Sequence, residues 1–382
     1  MINIKYKSKC SGCSACQQAC PKSCITMVAD SEGFLYPSVD LKTCINCGKC
    51  NKVCQYDNIF QSTEKPSKGY AFVSGQSKVR ETSSSGGFFY SVAEKILDEQ
   101  GVVFGAVFNK EFQTEITYVT DKSKLEPLLR SKYVQAKVGN AYTEAKKFLL
   151  EGKKVLFCGT PCQINGLRHF LGKDFDNLLC IDFACHSIPS PLIWEKYLSS
   201  LKRHSKVSFV NFKDKTFGWN NYGLTIKGNN ESKKDCVFIS QGNKNNLFMK
   251  GFLQNLYSRP SCSNCISKNF SSRSDITMAD FWGVEKYHQD SILNDNKGVS
   301  LLIPLTQKGV DLINSVNNNN YLTQVESTEF EINGSHGCLI RSSEPHRFRK
   351  LFWKLTQILD VKYSIWICVE PMLFLDKILK KV

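Results

Sequence analysis

The sequence predicts three parts in a row: a small α+β unit built around metal, a larger α/β domain, and a short helical tail. Three observations predict them. Cysteine is crowded into residues 1–58 in one run that occurs twice, short apolar stretches alternate with amphipathic ones from Gly69 onward, and apolar and basic residues share a helical spacing from Arg347 to Val382. A chain of 382 residues suits two or three domains, and 42% hydrophobic against 22% charged residues is the balance of a globular protein. The start, MINIKYKSKC, has no apolar leader, and no stretch approaches the run of about eighteen apolar residues that spans a membrane. A cytoplasmic location is expected.

Eighteen cysteines in reducing surroundings read as metal ligands before they read as disulfides. Cys10, Cys13, Cys16 and Cys20 are spaced Cys-x2-Cys-x2-Cys-x3-Cys and followed by Pro21; Cys44, Cys47, Cys50 and Cys54 repeat the spacing. Three thiolates so close wrap three corners of one cubane, while the fourth, carried off by the following turn, reaches the other cluster, as in bacterial two-cluster ferredoxins. The expected sets are Cys10, Cys13 and Cys16 with Cys54, and Cys44, Cys47 and Cys50 with Cys20. Zinc wants four ligands per site and suits this doubled triplet poorly. Residues 1–58 are thus expected to form an α+β ferredoxin-like domain with two [4Fe-4S] clusters, and 59–68 a linker. Cys24 comes too late for the run and reads as a packed thiol.

The charge of +15 is spread through lysine-rich segments without one dominant block, which argues against nucleic acid. Each thiolate-bound cubane adds about −2, so three would bring +15 to about +9. The remainder fits solubility, or a docking surface for an acidic electron-carrier protein or redox enzyme subunit.

Within residues 69–346, strands are expected at 102–108, 154–159, 178–184, 206–212, 235–240 and 299–305, and helices at 87–99, 191–203 and 245–257. Cys162 follows one strand in the turn GTPC, Cys185 ends the next in DFACHSIPS, and Cys262 and Cys265 form a Cys-x2-Cys pair in RPSCSNC. Strand carboxyl ends of a parallel sheet face a common crevice, so these four thiols can meet as a third [4Fe-4S] site, with zinc the main rival. Cys158, Cys180, Cys236 and Cys368 lie inside apolar runs and read as buried thiols; Cys338 fits either role. The tail, 347–382, reads as two short amphipathic helices split near Pro371 that cap the large domain, with peripheral membrane contact as the weaker reading.

SSSGGFF (83–89), SKYVQA (131–136), FCGTPCQ (157–163), DFACHSIPS (182–190), RPSCSNC (259–265) and SDITMADFWG (274–283) carry a resemblance over nearly the whole chain. Together they resemble the beta subunit of the coenzyme F420 hydrogenases and dehydrogenases, and the related chlorophyll-cycle reductases. The resemblance implies an α/β flavin-binding domain with FAD beside an iron–sulfur cluster, a ferredoxin-like domain fused in front, and cluster ligands among the four cysteines just named. Ser187 and Ala279 stand where that family more often has glycine.

The residues themselves allow two readings each. Ser84 or Ser85 can cap the following helix while Gly86 and Gly87 open N–H groups to a pyrophosphate, or the segment is an ordinary helix start. Lys132 and Tyr133 fit flavin or phosphate contacts, or a solvated loop. His186 fits a proton donor or a hydrogen bond to cluster sulfur, or a structural histidine. Asp280 and Trp282 fit the wall of a flavin pocket, or plain core.

The expectation is an iron–sulfur flavoprotein oxidoreductase, in which FAD exchanges two electrons with a small-molecule substrate or deazaflavin-like coenzyme and the clusters relay single electrons to or from a partner. The rivals are a non-enzymatic electron-transfer subunit docked on another enzyme and, on charge alone, a nucleic-acid-binding iron–sulfur protein. No Gly-x-Gly-x-x-Gly fingerprint marks a nicotinamide site.

Overall fold

The structure, a computed structural model, describes residues 1–62, 64–201, 206–229, 235–328 and 337–379. In the amino-terminal unit β1 (Ile25–Ala29) and β2 (Leu35–Val39) pair antiparallel, from Ile25 opposite Val39 to Ala29 opposite Leu35. Gly33 makes the turn at φ +80°. So short a segment has few apolar residues to bury. Its small core is accordingly Ile2, Ile4, Ile25 and Val39 packed around the thiols of Cys16, Cys20, Cys24, Cys44, Cys50 and Cys54.

The large domain is an eight-stranded mixed sheet, in the order β13 (Tyr321–Glu326), β3 (Lys68–Val73), β12 (Ser300–Pro304), β11 (Ile276–Asp280), β7 (Leu178–Phe183), β6 (Val155–Cys158), β4 (Val102–Phe108), β5 (Thr114–Val119). The inner strands β4, β6, β7 and β11 run parallel, and antiparallel strands flank them on both sides. Inner strands are covered on both faces, which is why VLFC and LLCIDF read as continuous apolar runs. One face carries the helix Phe88–Asp98, with Val92 and Ile96 against Val103, Leu156 and Ile181. The other carries Ala141–Leu150 and Pro161–Leu171, with Tyr142, Ile164 and Leu167 against Phe104, Phe157 and Cys180.

The strands expected at 206–212 and 235–240 belong to a second sheet, in which β8 (Lys206–Asp214), β9 (Gly223–Asn229) and β10 (Asp235–Gly242) pair antiparallel. The helices run Phe88–Asp98, Pro191–Leu201 and Leu247–Leu253. Residues 202 and 203 of the second expected helix lie outside the described residues. The third stops early because Asn255 turns to φ +57°.

The tail differs from expectation. Pro371 does not split it but lies inside one helix, Val361–Leu379, and the break comes earlier, after Arg349–Leu355. The described part packs inward: Phe352, Val361, Ile365, Cys368 and Val369 join Trp194, Phe212, Phe248 and Tyr257 in one apolar cluster. Burying side chains of this size contributes about 1.5–3 kcal/mol each, enough to hold the helices down. The side chains of MLFLDKILKK lie outside the described residues. No described helix is long and apolar enough to cross a membrane.

Candidate functional site

The two cysteine runs are built alike. Gly12 (φ +72°) and Ser14 (φ +60°) flank Cys13, and Asn46 (φ +50°) and Gly48 (φ +73°) flank Cys47, so both loops turn left-handed at matching positions. Such turns curl the chain around a centre instead of extending it. Cys16 faces Cys13, Cys10 and Cys54, and burial together with these like-charged neighbours pushes its pKa up. Cys20, Cys44, Cys47 and Cys50 line a concavity of about 340 Å³ of free space including its mouth, together with Cys24. The Cys20 and Cys24 sulfurs stand 3.3 Å apart. The structure therefore brings together Cys10, Cys13, Cys16 and Cys54 in one place, and Cys20, Cys44, Cys47 and Cys50 in another.

A third concavity, of about 620 Å³ of free space including its mouth, is lined by Cys162, Cys185, Cys262 and Cys265, with Tyr56, Asp182 and His186 in its wall. Local sequence sets the position of each thiol. Thr160 and Gln163 form a reciprocal cap at the start of the helix Pro161–Leu171, which fixes Cys162 in the first turn, just past the carboxyl end of β6. Cys185 lies just past β7, the neighbouring parallel strand. The short helical turn Pro260–Asn264 presents Cys262, and the Cys265 N–H donates to Ser342 Oγ over 3.0 Å. Burial pushes the Cys162 thiol up to about 12 and the Cys262 thiol up to about 11, and raises Cys185 as well; the neighbouring Cys262 and Cys265 thiols add to the rise at Cys162 and Cys185. Metal binding there would displace protons.

Among the described residues no three His, Cys, Asp or Glu side chains are placed to hold a single metal ion. Tetrahedral zinc draws four sulfurs to about 2.3 Å of one point, whereas a cubane carries its own sulfide cage and takes thiolates spread around it. Four thiols lining one concavity are the donor set that such a cubane takes.

This concavity adjoins the first amino-terminal site. Gln55, next to Cys54, donates through Nε2 to the Cys162 carbonyl over 2.9 Å and to Ser11 Oγ over 3.0 Å. Lys268 donates to the carbonyls of Cys185 and Cys338, which places Cys338 on the rim. Asp182 is 1% exposed, and among the described residues neither of its oxygens has a hydrogen-bond partner. Burial pushes it up to about 6, opposed by the Ser272, Thr277 and Ser274 hydroxyls and Lys268, which face it without reaching bonding geometry. His186 packs edge-on to Phe252 at 5.3 Å, and its buried Nε2 has no partner among the described residues.

The segments expected to meet a flavin also gather at the carboxyl edge of the sheet. Ser131 donates through its N–H and its hydroxyl to Ser84 Oγ (2.9 and 3.0 Å), Ser85 Oγ donates to the Val299 carbonyl (2.6 Å), and the Gly86 N–H donates to Ser300 Oγ (3.0 Å). Gly87, at φ +98°, opens the helix Phe88–Asp98. Tyr133 lies between Phe252 and Phe212. Asp280 pairs with the buried Lys213 and accepts from Trp219 Nε1 over 3.2 Å, and Trp282 stacks on Trp219 at 4.3 Å. Lys132 is held differently from a solvated loop or an open ligand contact: its ammonium donates to the carbonyls of Pro127, Leu129 and Arg130, and burial lowers it to about 7. Nothing in the spacing of FKDKTFGWNN marks Lys213, Lys215 or Trp219. Ser187 is buried and bonds Ser258 Oγ, and Ala279 pairs with Leu301 inside the sheet.

A family model for the carboxyl-terminal part of the coenzyme F420 hydrogenase/dehydrogenase beta subunit matches residues 152–329, and one for a 4Fe-4S dicluster domain matches residues 9–58. Residues 152–329 thus carry a domain of the carboxyl-terminal type of that beta subunit, and residues 9–58 a 4Fe-4S dicluster domain. Its dicluster segment is 34% identical over 65 residues to an uncharacterized ferredoxin of Methanocaldococcus jannaschii, covering 17% of this chain and 83% of that one. A chain of the F420-reducing [NiFe] hydrogenase complex from Methanosarcina barkeri aligns over 79% of this chain and 90% of its own at 14% identity, with a TM-score of 0.43. The dicluster cysteines lie inside the matched 9–58, so the chain carries an iron–sulfur domain in front of one that matches a hydrogenase/dehydrogenase subunit.

Proposed function

We propose that this chain is an iron–sulfur flavoprotein oxidoreductase, with two clusters held by the amino-terminal sets, a third by Cys162, Cys185, Cys262 and Cys265, and FAD in the large domain. The observation that carries the reading is the adjacency of the four-thiol concavity to the first amino-terminal site through Gln55 and the Cys162 carbonyl. Clusters pass single electrons, and a bound flavin would supply the exchange between electron pairs and single electrons.

The residues near Asp280 fit such a cofactor in kind. Lys213 and Lys215 are lysines with ammonium groups out of water and lowered by burial, Lys215 to about 7, next to stacked indoles and a helix start. Ser84, Ser85, Gly87, Tyr133, Asp280 and Trp282 are the proposed contacts. Gly86 and Lys132 orient the surrounding turns through the bonds they already make. His186, with an unpartnered Nε2 in the concavity, is the proposed hydrogen-bond donor to cluster sulfur. A small-molecule substrate or coenzyme and a redox protein partner complete the reading.

The test is anaerobic reconstitution with iron, sulfide, zinc and flavin quantified. About twelve iron atoms and one flavin per chain are expected. Saturation at about eight iron with one zinc would remove the third cluster, and absence of flavin would favour an electron-transfer subunit without chemistry of its own.

A further inference from the structure

Arg259 is a buried cation without a visible reason. It is 2% exposed, and among the described residues it has no carboxylate partner. Burying a guanidinium that lacks a counter-charge costs several kcal/mol, so one is expected close by. Its fork is fully directed. Nε donates to the Cys10 carbonyl (2.8 Å), Nη1 to Gln135 Oε1 (3.0 Å), and Nη2 to the Leu35 carbonyl (2.9 Å), while Nη2 also stands 3.7 Å from Cys10 Sγ. The Tyr36 and Phe34 rings lie 4.4 and 5.4 Å from the guanidinium carbon. Gly12 makes the approach possible: a methyl group there would stand 2.9 Å from Arg259 Nη1.

We infer that the counter-ion of Arg259 is the cluster bound through Cys10, and that Arg259 raises the reduction potential of that cluster. This rests on Cys10 being a ligand, which the iron count above tests separately. Reduction adds one electron to the cluster, with no bond broken and no proton moved. The added negative charge is stabilised by a nearby positive charge and by an N–H group aimed at a ligand sulfur, both known determinants of cluster potential. The two cysteine runs are alike in spacing, and the large domain makes them unequal. Arg259 reaches the Cys10 sulfur, while the Cys50 sulfur accepts from the Ile2 N–H, a neutral donor, at 3.2 Å. Arg259 is a positioning residue that also links the sites, since its own carbonyl accepts from the Cys262 N–H over 2.9 Å.

The experiment is an EPR-monitored redox titration of the full reconstituted chain, wild type against Arg259→Gln and Arg259→Lys, with iron content and circular dichroism checked in each. One cluster wave is expected to move to lower potential, further in Gln than in Lys, because lysine keeps the charge and loses the fork. The wave of the cluster held by Cys20, Cys44, Cys47 and Cys50 should hold. Unmoved waves in a variant that retains its clusters, or an equal shift of every wave, would overturn the inference. Should one variant lose the cluster, the other decides; loss from both in folded protein would mean that Arg259 serves only to build the site, and would also overturn it.

Discussion

Gly166 and Cys13 approach so closely that a methyl group on Gly166 would lie 2.8 Å from Cys13 Cβ and 2.9 Å from its sulfur. This glycine sits inside the helix Pro161–Leu171, where alanine ordinarily stabilises by about 1 kcal/mol. Overpacking at a closed contact costs typically 1–3 kcal/mol and here outweighs propensity, because the same methyl also meets the Tyr142 hydroxyl at 2.9 Å. Gly166→Ala is expected to lower the melting temperature and disturb the EPR signal of one cluster. An unchanged signal with a raised melting temperature would show that the helix can shift freely from Cys13.

Arg168 makes two ion pairs of unequal worth. Its bond to Asp275 (3.2 Å) is buried at both ends, and Asp275 also accepts from the Cys180 N–H and Thr306 Oγ1. Its pair with Asp174 (3.4 Å) reaches a carboxylate that is 76% exposed. Breaking the buried pair strands a charge at a cost of about 3–5 kcal/mol, whereas an exposed pair is worth about 0–1 kcal/mol. Arg168→Met should therefore destabilise strongly and Asp174→Asn hardly at all in urea melts, and equal effects would contradict this ranking.

The cysteine runs were legible because their chemistry is local, a spacing set by the reach of a short loop around a cage. Cys162 and Cys185 could be paired from sequence because both end apolar runs, and inner strands of a parallel sheet bring such ends side by side. What depends on distant partners was hidden. Arg259 and Cys10 are 249 residues apart, and nothing in RPSCSNC names its partner. Edge strands such as β5 and β13 mix polar with apolar residues and carry no continuous apolar run to mark them. Pro371 signals a helix break because proline removes one backbone donor, yet the helix Val361–Leu379 continues through it. Lys132 looked available because its carbonyl partners come from a turn in which Arg130 takes φ +71°, a conformation its sequence does not announce.

Asp182 should make stability depend on pH. Its folded pKa, about 6, lies above the ordinary 3.8, so the buried carboxyl prefers to stay neutral. A raised pKa gives stability that is fully present below about pH 4 and lost as pH rises through about 6, roughly 3 kcal/mol in all. Asp182→Asn keeps the shape without the charge. The variant is expected to melt higher than wild type at about pH 8, with the gap narrowing at about pH 5.5. A gap that is constant with pH would mean that Asp182 does not titrate in this range.

The last prediction concerns the order of electron carriers. If the thiols of Cys162, Cys185, Cys262 and Cys265 hold a cluster between the flavin and the first amino-terminal cluster, the contact from Gln55 to the Cys162 carbonyl marks the exit. Cys265→Ser exchanges a thiolate for a hydroxyl that is far harder to deprotonate and a poorer match for iron. The backbone bond from Cys265 to Ser342 is untouched by that change, so the loop should keep its path. Iron content is expected to fall from about twelve to about eight while both amino-terminal clusters survive. Flavin reduction by a two-electron donor should persist, because it precedes the missing carrier, and reduction of the remaining clusters should slow greatly in stopped-flow absorbance. If a variant proven to lack the third cluster still reduced the other two at the wild-type rate, electrons would have to reach Cys10 and Cys54 by a path that avoids the concavity, and the relay drawn through Gln55 and Cys162 would be wrong.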